Sequence, residues 1–192
     1  MKKAIVNGEE ISADAVLFEL NRLVKFYRSH GCGEAEIKEH LDGLKDKALE
    51  QAIGAKLLLA HAEELDLAVT DEDVEAEVEK IAAQIGGREN YLKVLAAQGL
   101  TEEKFRRELE KGARVNKLVE KALSEVPEPT EAEITAYYDH YRAGHKPEDL
   151  KSLVDLHDNI RDLLRHEARG RAMDAYVAEL REKATVEYRD QK

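Results

Sequence analysis

From Ser12 onward the apolar residues of this chain recur every three or four positions, the spacing that places them on one face of a helix. Before that point, Ile5-Val6 followed by Asn7-Gly8 reads as a short strand and a tight turn. Ser12 is placed to cap a helix with Asp14 in its first turn, and its apolar positions are Val16, Leu17, Leu20, Leu23, Val24 and Tyr27. Ser29 to Gly33 ends it. The next pattern runs from about Glu34 to Leu65, through Ile37, Leu41, Leu44, Ala48, Ala52, Ala55, Leu59 and Ala62, and predicts one long helix. At 1.5 Å per residue it would span about 46 Å, more than a compact domain needs, so an elongated molecule is expected. Its alanines allow neighbouring helices to approach closely.

Three further starts carry capping signatures. Thr70-Asp71-Glu72-Asp73 opens a helix that ends near Gly86-Gly87, and Thr101-Glu102-Glu103 opens one that runs to about Leu123. Thr130 with Glu133 is a capping box for a helix ending near Tyr141. A short helix from Asn90 to Gln98, with Gly99 as its C-cap, lies between the first two. Val126-Pro127-Glu128-Pro129 is a stiff link. Pro147 suits the first turn of a last helix, from Glu148 to Lys183, whose seam includes Leu150, Leu153, Ile160, Leu164, Ala168, Ala172, Ala175 and Leu180. Ala184 to Tyr188 alternates apolar and polar residues as a strand does. A lone strand is unstable, and Ile5-Val6 is its only evident partner, so the two termini are expected to meet in a small sheet. The fold class is therefore all-α, an elongated multi-helix module with a small β-sheet formed by the two ends.

Composition narrows the function without naming it. Of 192 residues, 43% are hydrophobic, enough to build a core, and 11 Gly with 3 Pro are few breakers, as a helical chain requires. No apolar run approaches a membrane span, so no membrane insertion is expected. The net charge of -11 argues against nucleic acid, whose phosphates attract Lys and Arg. Lys2 and Lys3 could open a signal peptide, but only Ala4, Ile5 and Val6 follow before polar residues. As written, the chain carries no export signal, which places it in the cytoplasm. A chain from which a signal has been removed would read the same and belong to the periplasm or cell envelope.

No catalytic constellation is readable, and no cofactor is expected. Cys32 stands in a Gly-Cys-Gly loop that would expose it, with only His30 nearby as a basic group; an incidental loop cysteine is the simpler reading. The histidines, at positions 30, 40, 61, 140, 145, 157 and 166, form no His-x-x-x-His pair, so a metal site is not expected. The acidic run Asp71, Glu72, Asp73, Glu75, Glu77 and Glu79 reads as a solvated helix face. Gly86-Gly87 lacks the Lys-Ser/Thr of a phosphate loop and reads as a turn. Two aromatic clusters are more informative. Tyr137, Tyr138 and Tyr141 crowd one short helix, with Tyr137 and Tyr141 on a shared face. Tyr91, Leu92, Leu95, Leu100 and Phe105 gather around a helix-turn-helix. Each cluster is either ordinary core or a wall of a concave surface for apolar peptide segments. On the second reading the candidate peptide-binding residues are Tyr91, Leu95, Leu100, Phe105, Tyr137, Tyr138 and Tyr141.

In order along the chain, five stretches carry a family resemblance: Ile5 to Ser12; the helix through Leu57-Leu58-Leu59; Leu65 to Val74; Gly99-Leu100-Thr101-Glu102-Glu103-Lys104-Phe105; and Pro129-Thr130-Glu131-Ala132-Glu133-Ile134. Leu180 to Val186 resembles the C-terminal helix and strand of the same module. The chain resembles the SurA/PrsA-type chaperones, the family that carries parvulin prolyl isomerase domains, over nearly its whole length. The resemblance implies a single helical chaperone domain across residues 1–192, with an N-terminal part, 1–126, and C-terminal helices and strand, 130–192. In the family a parvulin domain usually follows the helix equivalent to Thr130–Tyr141. Here a short loop, Arg142 to Lys146, stands in its place, and the parvulin histidines and proline pocket have no counterpart.

The resemblance therefore implies a chaperone that binds unfolded or apolar client polypeptides without ATP and without isomerase activity, so not an enzyme. The alternative is a structural or adaptor protein that binds one folded partner. Two arrangements of the last helix are open: the short loop at Gly144 would let it leave its own chain and pack on a second copy as a homodimer, or it returns onto its own chain.

Overall fold

The computed structural model describes residues 3–146 and 150–189. Three strands form one sheet in the order β2-β1-β3, with β1 at Lys3–Val6, β2 at Glu9–Glu10 and β3 at Val186–Arg189. Both pairings are antiparallel, and Val6 lies opposite Glu9 on one side and Val186 on the other. The β1–β2 hairpin is tight because Asn7 (φ +50) and Gly8 (φ +86) both adopt the left-handed conformation that such a turn demands. Asn7 also ties the ends together: its backbone N–H donates to Thr185 O (2.8 Å), and its Oδ1 accepts from the Thr185 N–H (2.9 Å). The terminal sheet expected from the sequence is thus present. The second strand, β2, was not legible, since two glutamates carry no apolar alternation.

The helices are α1 (Ala13–Ser29), α2 (Glu34–Glu39), α3 (Leu41–Glu64), α4 (Asp71–Gln84), α5 (Arg88–Ala97), α6 (Glu102–Leu123), α7 (Glu131–Ala143) and α8 (Leu153–Lys183). The capping residues act as their side chains predict. Ser12 Oγ accepts from the Ala15 N–H, and Thr70 and Thr130 each form a full capping box, with Asp73 and Glu133 respectively. Gly86 and Gly87, at φ +90 and +106, make the turn between α4 and α5.

The chain divides into two compact units. Unit 1 comprises residues 1–118 and 177–192. In it α1 packs along α3, and α3 supports β1. Val16 and Leu23 on α1, and Ala48, Leu49, Ala52, Ile53 and Leu57 on α3, are buried. Each large side chain buried in this way contributes about 1.5–3 kcal/mol. The end of α8 comes close to α3 at Gly54, where a Cβ would meet Val177 Cγ1 at 3.4 Å. Arg181 and the Tyr188 hydroxyl both donate to the Glu50 carboxylate, at 2.6 and 2.7 Å, which fastens β3 to α3. Farther along, Val78, Ala82, Tyr91 and Leu95 form a core cluster between α4 and α5, flanked by Ile81, Phe105 and Leu109.

Unit 2 comprises residues 119–176. Its buried apolar residues, among those described, are Leu123, Ile134 and Ile160, from α6, α7 and α8 in turn. Polar contacts supplement them. Tyr138 donates to Lys151 O (2.9 Å), Arg165 to Glu128 (2.7 Å), and His157 Nε2 lies 2.8 Å from Glu131.

Four expectations require correction. The helix predicted from Glu34 to Leu65 is two helices, broken at His40 (φ -96, ψ 9). Its period survives the break because Ile37 and Leu44 are both buried. The break lets α2 pack on α1 as well as α3, with Glu34 held by Arg28 at 2.6 Å. The last helix starts at Leu153 rather than Glu148, capped by Ser152, whose Oγ accepts from the Asp155 N–H; Pro147 itself lies outside the described residues. The cap of α5 is Gln98, and Gly99 follows it at φ +68. Cys32, expected to be exposed, is half-buried.

Candidate functional site

Unit 1 carries an open cradle of about 1010 Å³. Its walls come from three places: the β2–α1 segment (Glu10 to Arg22), the middle of α3 (Ala52, Ala55, Lys56, Leu59) and one face of α6 (Glu108 to Asn116). Local sequence explains the shape. Small residues, Ala15 on α1, Ala52 and Ala55 on α3 and Gly112 on α6, leave space where larger side chains would fill it. Larger apolar side chains border that space: Ile11, Phe18, Leu59, Leu109 and Val115. Phe18 is 65% exposed, a large ring left in water beside an apolar hollow. A ring in that position gains contact area if an apolar segment lies across it.

The charged groups of the cradle are almost all paired at its rim. Lys56 bonds Glu9, Lys3 bonds Glu10, and Lys111 bonds Glu108 at 2.8 Å. Those partnerships hold the Glu9 and Glu10 carboxyls below the usual carboxylate range, first through the lysine hydrogen bond and then through its charge. Glu19 differs. It is 6% exposed, and its buried Oε2 meets the exposed Arg22 at 3.1 Å without hydrogen-bond geometry, its one ion partner among the described residues.

A smaller pocket of about 400 Å³, lined by Leu100, Lys104 and Phe105, shares Glu108 and Lys111 with the cradle. A third, of about 440 Å³, lies on the other side of Arg22, between Leu23, Phe26, Tyr27, Lys47 and Gln51. Among the described residues, no group of three His, Cys, Asp or Glu side chains could hold a metal ion.

The residues singled out from the sequence fall into different settings. Tyr91 is 1% exposed and Leu95 is equally enclosed; both belong to the α4–α5 core and offer no surface to a ligand. The Tyr91 ring packs on Phe105 with centroids 5.9 Å apart, and Arg88 lies over its face at 5.3 Å. Its hydroxyl is buried without a hydrogen-bond partner, and that burial pushes its pKa up. Leu100 is exposed and Phe105 half-buried, and these two line the smaller pocket beside the cradle. In unit 2, Tyr137 is exposed, whereas Tyr138 and Tyr141 are half-buried and stack with each other at 6.1 Å. Tyr141 also stacks on His145 at 4.2 Å. The structure therefore couples Tyr141 to Tyr138, not to Tyr137.

Sequence reasoning missed Phe18, Glu19 and Arg22. One signal was available. Val16, Glu19 and Leu23 share the helical stripe of α1, so a carboxylate stands on a face that is otherwise buried.

A set of helices whose chain ends are joined by a short sheet, with an open apolar cradle in the same unit, defines a helical module built around a concave surface. The sequence pattern of the SurA-like N-terminal domain family matches residues 2–119, and the chain belongs to that family. The foldase protein PrsA of Streptococcus gordonii (strain Challis) is 30% identical over 132 residues, which make up 67% of this chain and 40% of the relative. The matched stretch thus spans 40% of the length of that protein. A solved chain from Campylobacter jejuni, from work describing the virulence factor PEB4 and the periplasmic protein Cj1289 as structurally related SurA-like chaperones, matches with a TM-score of 0.61. The match covers 98% of this chain and 99% of that one at 14% identity, a likeness of fold. Membership of the SurA-like family supports a chaperone role. Among the described residues, no helix is long and apolar enough to cross a membrane.

Proposed function

We propose that this protein is an ATP-independent chaperone that holds unfolded or apolar polypeptide segments in the cradle of unit 1, and that it has no prolyl isomerase activity. The observation that carries the reading is the cradle itself: about 1010 Å³ of open space, bordered by Phe18, Leu59 and Val115, within the residues that match the family pattern. Leu100 and Phe105 extend the apolar surface beside it. Tyr137, Tyr138 and Tyr141 offer a second, weaker contact in unit 2, while Tyr91 and Leu95 act only as support. Binding of this kind is tolerant of sequence, because burial of apolar area is non-directional. The net charge of -11 keeps the loaded chaperone soluble. The lack of isomerase activity is supported by the short stretch of residues 144–152 between α7 and α8, which leaves no room for a parvulin domain at that place. A location in the cell envelope is supported by the matched Campylobacter jejuni chain, from work in which one of the two related SurA-like chaperones is periplasmic.

The test is suppression of aggregation of several unrelated unfolded proteins without ATP, beside the variant Phe18→Ser. Wild type is expected to protect all of them and the variant to protect poorly at unchanged melting temperature. Tight binding of one folded protein, with no protection of unfolded ones, would favour an adaptor instead. A proline-peptide isomerisation assay is expected to match the uncatalysed rate.

A further inference from the structure

The cradle has a polar floor that its proposed role does not use. Glu19 is a carboxylate placed on the buried stripe of α1, and its Oε2 accepts no hydrogen bond. Its only ion partner among the described residues, Arg22, sits one helical turn away with most of its side chain in water. The other acids around the cradle, Glu10 and Glu108, are well exposed and already bonded to Lys3 and Lys111. A cation that entered the cradle would meet its least screened partner at Glu19.

Arg22 also has somewhere else to go. It borders both the cradle and the neighbouring 440 Å³ pocket, and in that pocket Gln51 carries a buried Oε1 without a hydrogen-bond partner. A guanidinium that leaves Glu19 has that pocket to turn into, while an incoming cation takes its place on the carboxylate.

We propose that the cradle selects apolar client segments that carry a lysine or arginine, with Glu19 as the acceptor for that side chain and Arg22 as the group it displaces. This deepens the chaperone reading and rests on it. The chemistry is straightforward. When an apolar segment covers the cradle it excludes water from the Glu19–Arg22 pair, whose 3.1 Å contact lacks hydrogen-bond geometry, and a carboxylate so weakly partnered opposes binding. A client that brings its own cation removes the penalty, and its stem packs along Phe18 and Leu59 while the charged end reaches the floor. The selection is for one basic residue among apolar neighbours and not for net positive charge.

The experiment compares two fluorescent peptides of equal length and equal apolar content, one with a central lysine and one with norleucine at that position. Binding to the full chain is followed by anisotropy. Wild type is expected to hold the lysine peptide roughly tenfold more tightly, the size that one unsatisfied buried acceptor implies. Glu19→Gln should abolish that difference and leave the norleucine peptide bound at least as well as before. Arg22→Ala, read at a temperature where a thermal melt shows the variant folded, should widen it, because Glu19 then has no competitor. Equal affinity of wild type for both peptides, or a lysine preference that Arg22→Ala leaves unchanged, would overturn the proposal while the cradle remained a client site. Failure of both peptides to bind would overturn the chaperone reading together with it.

Discussion

In unit 1 the buried positions form runs along the helices: Val16 and Leu23 on α1, Ala48 to Leu57 on α3, Val74, Val78 and Ala82 on α4. In unit 2 each of the three helices contributes a single deeply buried residue, Leu123, Ile134 or Ile160, among those described. The polar contacts divide differently. Those of unit 1 include an acid held far from its usual range: Lys117, together with the Thr70 cap, keeps Asp73 at about 2. Those of unit 2 centre on a histidine, His157, between Glu131 and Asp158. The contrast separates two sources of stability. Unit 1 adds its ion pairs to a large buried area, which is indifferent to pH near neutrality. Unit 2 has fewer buried apolar residues behind its exposed ion pairs, so a larger share of its stability responds to pH and salt. Such a region opens at lower free energy than a well-packed one.

The largest effect should come from cutting unit 1 at the point where its two ends join. Removal of residues 184–192 deletes β3 and with it the ladder that pairs Lys3 to Val6 with Arg189 to Val186. It also removes the Tyr188 bond to Glu50. At about 1 kcal/mol for each lost hydrogen bond, plus newly exposed apolar surface on β1, the cost is about 5 kcal/mol. Denaturant titration should show it as a lower midpoint. An unchanged midpoint would mean that the sheet does not close unit 1.

A core truncation in unit 2 should be smaller and local. Ile134 is fully buried, and Ile134→Ala is expected to cost about 3 kcal/mol. Hydrogen exchange should then quicken in α7 while the amides of α3 keep their protection. If α3 lost protection to the same extent, the units would not be separate sources of stability.

A third change tests how tightly the unit 1 core is specified. The buried hydroxyl of Tyr91 has no hydrogen-bond partner, so Tyr91→Phe should alter stability by no more than about 1 kcal/mol, in the stabilising direction. Tyr91→Ala should cost about 3–5 kcal/mol. A large loss in Tyr91→Phe would reveal a bond that the hydroxyl makes in solution.

How much of this was written in the chain depends on which physical signal each feature leaves. Caps are local, so Ser12, Thr70 and Thr130 marked their helix starts correctly. The terminal sheet was legible because the alternation at Thr185 to Tyr188 needed a partner and Ile5-Val6 was the only one. The break at His40 was not, because a helix that turns between Ile37 and Leu44 can keep the same apolar spacing. The clusters show the same limit. Tyr91, Leu95, Leu100 and Phe105 were correctly read as neighbours, yet spacing along a helix says which residues share a face and not what covers it. Two of the four proved to be core and two to line a pocket. The cradle depends on absences of bulk, at Ala15, Ala55 and Gly112, brought together from three helices far apart in sequence. Such a space leaves no periodic mark. Its one legible sign was Glu19 on the stripe of Val16 and Leu23.

The smallest effect is also the sharpest test of the contrast, because the two units should titrate in different ranges. In unit 2, His157 Nε2 donates to Glu131, and Asp158 and Arg161 lie at its other nitrogen. The bond to Glu131, followed by that to Asp158, raises the histidine above its ordinary value of 6.5. A group whose folded pKa is raised stabilises fully below its unfolded value, and the contribution fades as pH climbs through the folded one. Unit 2 should therefore be more stable at pH 5.5 than at pH 8.5. In unit 1, Asp73 is depressed from 3.8 to about 2, so its contribution is complete above its unfolded value and disappears only as pH falls toward 2. It does not change between pH 5.5 and 8.5. Hydrogen exchange at those two values should show α7 losing protection at the higher pH relative to α4, after correction for the intrinsic exchange rate. His157→Asn should remove that difference in α7 and leave α4 as it was. If α7 and α4 lost protection in parallel in wild type, or if the variant kept the difference, the histidine would not be what makes unit 2 respond to pH.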